Sequence, residues 1–341
     1  MRSYLLTLIA LALFSASLAE GAFSLNPFAW FSDEEEAGAL DLRLSPEEEK
    51  AATERLERGL RAMEGGRTGA AKRHFRKVIK NYPKANQAAE ARYNYAKILK
   101  AEERWVKAFD TFQEIIKEHP GFPEFNAIIA SQFDCATALM EGARGKILWV
   151  IPGFKQYGKA SDGFEQIVNN APYSDYAPLA LMNIALLAEK RNNPDQAIDA
   201  LDRLINFYPQ NRLAPEAYYN LAETYSKLVK GPEYDQGSTR QAIRYCEDFL
   251  ILFPESEYVN AIETILENME NILAKSRLNL GNFYYYYRNN STAALVFYNE
   301  AITLAPDSET AEEAKERVED IENGVRPTTP SGLLRKLLLA D

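Results

Sequence analysis

Residues 197–209 read AIDALDRLINFYP, and their skeleton, Ala, a bulky side chain four positions on and Pro twelve positions on, occurs six times in the chain. The copies are Ala71, Phe75, Pro83; Ala108, Phe112, Pro120; Ala160, Phe164, Pro172; Ala197, Leu201, Pro209; Ala242, Cys246, Pro254; and Ala294, Tyr298, Pro306. Ala and the bulky residue lie one turn apart on one helical face, and Pro stops the helix two turns later. Eight positions after each Ala stands an aliphatic residue: Ile79, Ile116, Val168, Ile205, Leu250 or Ile302. Each copy therefore predicts an amphipathic helix with a small residue where a neighbouring helix comes close. Six such units predict a stacked α-helical solenoid, an architecture that mostly binds rather than transforms.

A second motif, Ala-x2-Asn-x-Ala, begins eight residues after three of the repeat-ending prolines. It appears as Ala91, Asn94, Ala96; Ala180, Asn183, Ala185; and Ala217, Asn220, Ala222. Two positions after Pro stands a capping type of residue at Ser174, Asn211, Ser256 and Ser308. The unit is helix, short turn, helix, Pro, capped restart, which is the tetratricopeptide pattern. The expected fold is all-α, a tetratricopeptide-repeat solenoid of about six helix-turn-helix units over residues 45–323. It opens at Ser45, Pro46 and Glu48, a capping box with Pro at the first helical position. Successive prolines are 37, 52, 37, 45 and 52 residues apart. The longer spacings predict inserts at 142–158 and 230–237 and one long helical stretch over about 258–287.

The ends read differently. Arg2, the apolar run 5–14 and small residues at Ser17 and Ala19 predict a signal peptide over 1–19, cleaved after Ala19. Residues 20–44, with Phe23, Phe28, Trp30, Phe31 and the acidic run 33–36, read as a flexible lead segment; residues 324–341, with Leu333 and Leu334, read as a tail. No later stretch is long and apolar enough to cross a bilayer, so the expectation is an exported, periplasmic protein with no span after signal removal. A formal charge of −10 and a pI near 5.1 argue against nucleic acid, which needs a concentrated basic face, and against binding to anionic lipid by overall charge alone. Cys135 and Cys246 fall in different repeats of a stack that separates them, and read as buried, unlinked thiols.

Catalysis finds no support. His74 and His119 are the two histidines and neither has a partner at metal spacing; no cofactor-binding or metal-ligating pattern is present. For binding, two readings stay open at each candidate. Asn94, Asn183 and Asn220 either form a carboxamide ladder for an extended peptide, with Tyr93 and Tyr95 beside it, or fix repeat geometry. Tyr284, Tyr285, Tyr286 and Tyr287 span a full turn, so at least one or two should be exposed as interface residues, the others packing between repeats. The run 147–151 reads as a partner loop, a membrane-touching element, a strand-like flap, or a segment buried on its own repeat.

Residues 249–258, FLILFPESEY, lead into a long helix with Leu273 and Ala274, then Arg277 to Gly281 (RLNLG), Phe283, Tyr284, Ala293 and Ala294. In this order the chain resembles the BamD (ComL/YfiO) family of outer-membrane assembly lipoproteins, over roughly residues 46–321. The resemblance implies a periplasmic scaffold, associated with the outer membrane, whose partners are a β-barrel insertase and unfolded outer-membrane protein clients. Members carry a lipid-modified Cys after the signal, whereas the first Cys here is Cys135, so a soluble form, or weak adsorption through Phe28, Trp30 and Phe31, would have to replace that anchor. Two alternatives share export and repeats: a Tol-associated or envelope-division coordinator, and a cell-wall glycan-binding module using aromatics as stacking platforms.

Overall fold

A computed structural model describes residues 44–142, 144–147 and 151–325. The signal and lead segment through residue 43, the centre of the 147–151 run and the tail from 326 lie outside the described residues. Thirteen α-helices follow one another among them, and six antiparallel pairs with a closing helix account for all of them. The pairs are α1 (Pro46–Glu64) with α2 (Thr68–Asn81), α3 (Asn86–Ala101) with α4 (Trp105–Glu118), and α5 (Phe125–Met140) with α6 (Tyr157–Asn170). They continue as α7 (Tyr176–Lys190) with α8 (Pro194–Phe207), α9 (Ala214–Leu228) with α10 (Gly237–Leu252), and α11 (Val259–Asn282) with α12 (Ser291–Leu304). Helix α13 (Glu309–Glu322) closes the stack. Each helix packs chiefly on its sequence neighbours, the one-dimensional arrangement that the six-fold skeleton predicts.

The skeleton Ala and the bulky residue four positions on are fully buried in every copy. The aliphatic position eight after Ala is buried in two copies, Val168 at 8% and Ile205 at 7% exposed. The deeply buried residue comes seven positions after Ala, at Val78, Ile115, Ile167, Leu204, Phe249 and Ala301, while Ile79, Ile116, Leu250 and Ile302 are only half-buried. Three and a half residues per turn keep positions zero, four and seven on one narrow stripe, and position eight falls on its edge. The core is correspondingly serial: a long central cluster runs from Ala89 to Ile262, with a separate cluster at each end.

Local signals set the boundaries. Ser45 accepts from the Glu48 amide while the Glu48 carboxylate accepts from the Ser45 amide, so the box reads as expected. Leu44, which the sequence places in the lead segment, packs against the first cluster. Of the four residues following Pro, only Ser308 caps its helix directly, accepting from the Ala311 amide at 3.1 Å. Asn211 and Ser256 instead accept from amides two residues on, inside the turn.

The inserts fall where the repeat spacings place them. Strands β1 (Arg144–Ile147) and β2 (Ile151–Lys155) form an antiparallel hairpin, with Arg144 opposite Lys155 and Ile147 opposite Ile151, so the described fold is not purely helical. Ile147 and Ile151, which face each other in the pairing, are β-branched, which favours the pleated form. The polar insert folds around Gln236, whose amide donates to the Gly231 and Tyr234 carbonyls at 3.0 and 2.7 Å. The long helix is α-helical only to Asn282; residues 283–287 widen into a π-helical turn.

Polar joints lock helices within a pair and between neighbouring pairs. Arg92, nearly buried, reaches from α3 to Glu118 at 2.5 Å and Glu114 at 3.4 Å and donates to His119 Nε2 at 3.2 Å. Burial, then the Arg92 charge, hold His119 below its ordinary pKa, so the imidazole stays neutral and can accept. Gln113, Gln132 and Asn170 form a carboxamide chain across α4, α5 and α6.

Opposite two of the four bulky-position rings, Phe75 and Tyr298, the facing helix carries glycine. A Cβ placed on Gly59 would lie 2.5 Å from the Phe75 ring, and one on Gly281 2.5 Å from the Tyr298 ring. Gly281→Ala is therefore expected to lower stability by about 1–3 kcal/mol from overpacking, despite alanine's better helix propensity. Thermal melts of the variant check this, and an unchanged or raised Tm would show that the close approach is not constraining.

Candidate protein-binding surface

Position ten of the skeleton, two before Pro, changes character along the stack. It is Asn81, Glu118 and Asn170 in the first three copies, and Phe207, Leu252 and Leu304 in the last three. Helix geometry turns this position away from the buried stripe, so an apolar residue there faces solvent. Phe207 is 72% exposed and Leu252 54%, with Ile251 beside it at 77%. Tyr173, in the turn that precedes α7, is wholly exposed. Scattered apolar residues are ordinary on a surface, but recurrence at equivalent positions of consecutive repeats forms a row.

Two clefts lie along this row. The first, of about 610 Å³, sits between the turns near Pro172 and Pro209, with Tyr173, Phe207 and Arg203 in its walls. Its shape is fixed by the Tyr208 hydroxyl, which donates to the Pro172 carbonyl at 2.6 Å. Arg203 is in turn held by Glu165 through two bonds of 2.8 and 3.0 Å and by Asp199 at 3.3 Å, which raises its pKa further. The second, of about 620 Å³, lies one repeat on, between Arg212, Pro215 and Glu216 and the turn from Leu252 to Tyr258. Tyr258 is stacked on Tyr219, with ring centroids 5.0 Å apart. The two clefts share equivalent positions in successive repeats: Pro178 and Pro215, Phe207 and Leu252, Tyr208 and Phe253, Asn211 and Ser256.

A third apolar area surrounds the π-helical turn. Phe283 stacks on Tyr287, and Tyr284 stacks on Phe297 of α12 at 5.3 Å. Leu280, Phe283, Tyr287 and Val296 are all exposed, Tyr287 at 68%. Of the four tyrosines, Tyr287 is exposed, Tyr284 and Tyr286 half-buried, and Tyr285 buried, its hydroxyl donating to the Val325 carbonyl at 2.7 Å. The wider turn lets Phe283 and Tyr287 share the outer face while Tyr285 points inward.

The asparagine positions are less open. Asn94 is 8% exposed and its amide donates to the Glu90 carbonyl of its own helix at 3.0 Å. Asn220 lies 3.7 Å from the Met182 sulfur of the preceding repeat, and Asn183 is half-buried. Helix α5 carries Ser131 at the corresponding position, so the series is interrupted between Asn94 and Asn183. Tyr93 packs on Phe112 and Phe122, and Tyr95 is half-buried between the first and central clusters. The sequence reading missed Tyr173, Phe207, Ile251 and Leu252; aligning the copies on Pro and comparing the tenth position would have shown them.

Both cysteines are free and buried, and desolvation pushes each thiol up to about 12. Among the described residues no group of His, Cys, Asp and Glu could hold a metal ion. No described helix is long and apolar enough to cross a membrane.

Residues 154–323 match the family model described as YfiO, outer membrane lipoprotein, and residues 56–123 match a tetratricopeptide repeat model. Among curated relatives, the outer membrane protein assembly factor BamD of Rickettsia prowazekii (strain Madrid E) is 28% identical over 130 residues, 38% of this chain and 52% of that protein. BamD of Caulobacter vibrioides is 26% identical over 128 residues, 38% of this chain and 42% of that protein. The chain thus spans about half the length of the curated relatives it matches. Among solved structures, a tetratricopeptide repeat protein from Parabacteroides merdae is 12% identical, with a TM-score of 0.33 over 79% of this chain and 99% of that one.

Two predictions follow from the burial pattern. Native protein is expected to leave both thiols unreactive toward a disulfide-exchange reagent at neutral pH, with both titrating after denaturation; fast reaction of native protein would contradict their burial. Phe207→Asp and Leu252→Asp, at exposed positions, are expected to change stability by no more than about 0.5 kcal/mol, which urea titration measures. The serial helix pairs and the two family matches together show a tetratricopeptide repeat protein similar, over residues 154–323, to the BamD outer membrane assembly factors.

Proposed function

We propose that the protein is a non-enzymatic scaffold of the periplasm that binds polypeptide segments in outer-membrane β-barrel assembly. The observation that carries this reading is the change from polar to apolar side chains at the position two before Pro. It falls within the stretch similar to the BamD factors and lines two equivalent clefts there. An extended segment, with every second side chain on one face, fits a surface that repeats its pocket by translation. Aromatic and aliphatic anchors such as Phe207 and Leu252 provide the apolar contacts, and Arg203 and Arg212 supply donors at the rim. Tyr284 and Tyr287, with Phe283, form the second proposed docking area for a larger partner; Asn183 and Asn220 are the polar contacts proposed along the first helices, with Tyr93, Asn94 and Tyr95 proposed at the N-terminal end.

Depletion of the protein in its own cell, followed by quantitative proteomics of outer membranes, tests the role. Loss of β-barrel proteins is expected, with rescue by the wild type and at most partial rescue by the Phe207→Asp, Leu252→Asp double variant. Unchanged β-barrel levels on depletion would reject the assembly role, and full rescue by the double variant would move the contact away from the clefts.

A further inference from the structure

The first repeat carries a charge pattern opposite to that of the whole molecule. Between residues 65 and 89 stand seven Lys and Arg and no Asp or Glu, in a chain of formal charge −10. The structure arranges them. Ala71, Phe75 and Val78 turn one face of α2 into the core, which leaves Arg73, Arg76, Lys77 and Lys80 on the opposite face as a single stripe. Arg67 and Lys84 extend it at either end, and all six side chains are exposed. Lys72, off the stripe, is the one of the seven that pairs, with Glu102; among the described residues none of the six makes an ion pair. Arg55 and Arg58 of α1 approach from the side, and after burial the charges of Arg55, Arg58, Lys77 and Arg73 all depress His74.

The far end of the stack is the reverse. Residues 305–325 hold eight Asp and Glu against two Lys and Arg. Because repeats succeed one another along an axis, the molecule is electrically polarised, cationic at its first pair and anionic at its last helix.

We propose that the outer face of α2 is a docking surface for anionic lipid headgroups, which sets the first repeat against a membrane and turns the acidic closing helix away. The chemistry of the face selects this occupant. Between residues 44 and 142 no large apolar side chain is exposed. A polypeptide interface is organised around buried aromatic or aliphatic anchors, and single-stranded nucleic acid needs aromatic platforms; neither is present on α2. A stripe of charge alone fits a diffuse array of phosphates, where each Lys or Arg adds its own attraction and salt removes it. The inference adds a membrane contact to the scaffold role, and its test contains no client, so failure of one leaves the other standing.

The test is co-sedimentation of the full chain with phosphatidylcholine vesicles containing about one third phosphatidylglycerol, and with pure phosphatidylcholine. Binding to the anionic vesicles that weakens with added salt is expected, with little to the neutral ones. The variant Arg73→Gln, Arg76→Gln, Lys77→Gln, Lys80→Gln should bind at least tenfold more weakly, since each charge near an anionic surface is worth roughly fivefold. A control with the same loss of charge, Lys159→Gln, Arg191→Gln, Arg212→Gln, Arg240→Gln, should stay within about twofold of wild type on this account. Circular dichroism melts of both variants establish that they are folded. Absence of binding to anionic vesicles, equal binding to neutral ones, or equal loss in stripe and control variants overturns the proposal. So does salt-sensitive self-association that the stripe variant loses without vesicles, which would assign the face to the acidic end of a second copy. Binding of polyglutamate but not vesicles would assign it to an acidic polypeptide.

Discussion

Everything in this molecule depends on how closely the two helices of a pair can approach. The bulky residue of the second helix, Phe75, Phe112, Phe164, Leu201, Cys246 or Tyr298, is fully buried in each copy. It needs a shallow partner on the facing helix, and Gly59 and Gly281 supply the extreme case, with room for a ring and none for a methyl group. Burying a Leu or Phe side chain contributes about 1.5–3 kcal/mol, so the contact recurs as a substantial term along the stack. The skeleton Ala is fully buried in every copy as well. Close approach on both sides makes the stack a string of similar joints rather than one central core.

A serial core leaves much surface uncommitted, and the chain uses its parts differently. The first pair spends its outer face on charge, with Arg73, Arg76, Lys77 and Lys80 in a line. The later pairs spend the end of each second helix on apolar side chains, Phe207, Ile251 and Leu252, beside clefts held in shape by Tyr208 and by the stacked Tyr219 and Tyr258. The same helix-turn-helix unit thus presents charge at one end and hydrophobic pockets at the other. Arg92 with Glu118 and His119 ties the two helices of one pair together, while Gln113 with Gln132 and Asn170 ties that pair to the next.

Much of the fold was legible because its signals are local. Pro at a fixed interval stops each second helix, the Ser45 box starts the first, and Ala at a fixed offset marks each contact. The errors have physical causes. The aliphatic position eight after Ala is conspicuous in every copy, yet the most deeply buried stripe runs through position seven, where residue type varies from Val and Ile to Phe and Ala. The run around 147–151 gave no helical or strand period of its own, and its hairpin arises from cross-strand bonding that a one-dimensional pattern does not display. The candidate surface was read in part: Tyr287 is exposed as a consecutive run of tyrosines requires, while Asn94 turns out to spend its amide on its own helix.

The sequence by itself determined that the chain would be a stack of paired helices, because helix period, Pro stops and small-residue contacts act over a dozen residues and need no knowledge of distant neighbours. It also carried the seven cations of residues 65–89 and the apolar residues at Phe207 and Leu252. Only the tertiary structure decided which of these face outward and which neighbours complete a site. Exposure depends on the angle at which successive pairs pack, and that angle is set by contacts among residues far apart in the chain, such as Tyr208 with Pro172 and Tyr245 with Asp202.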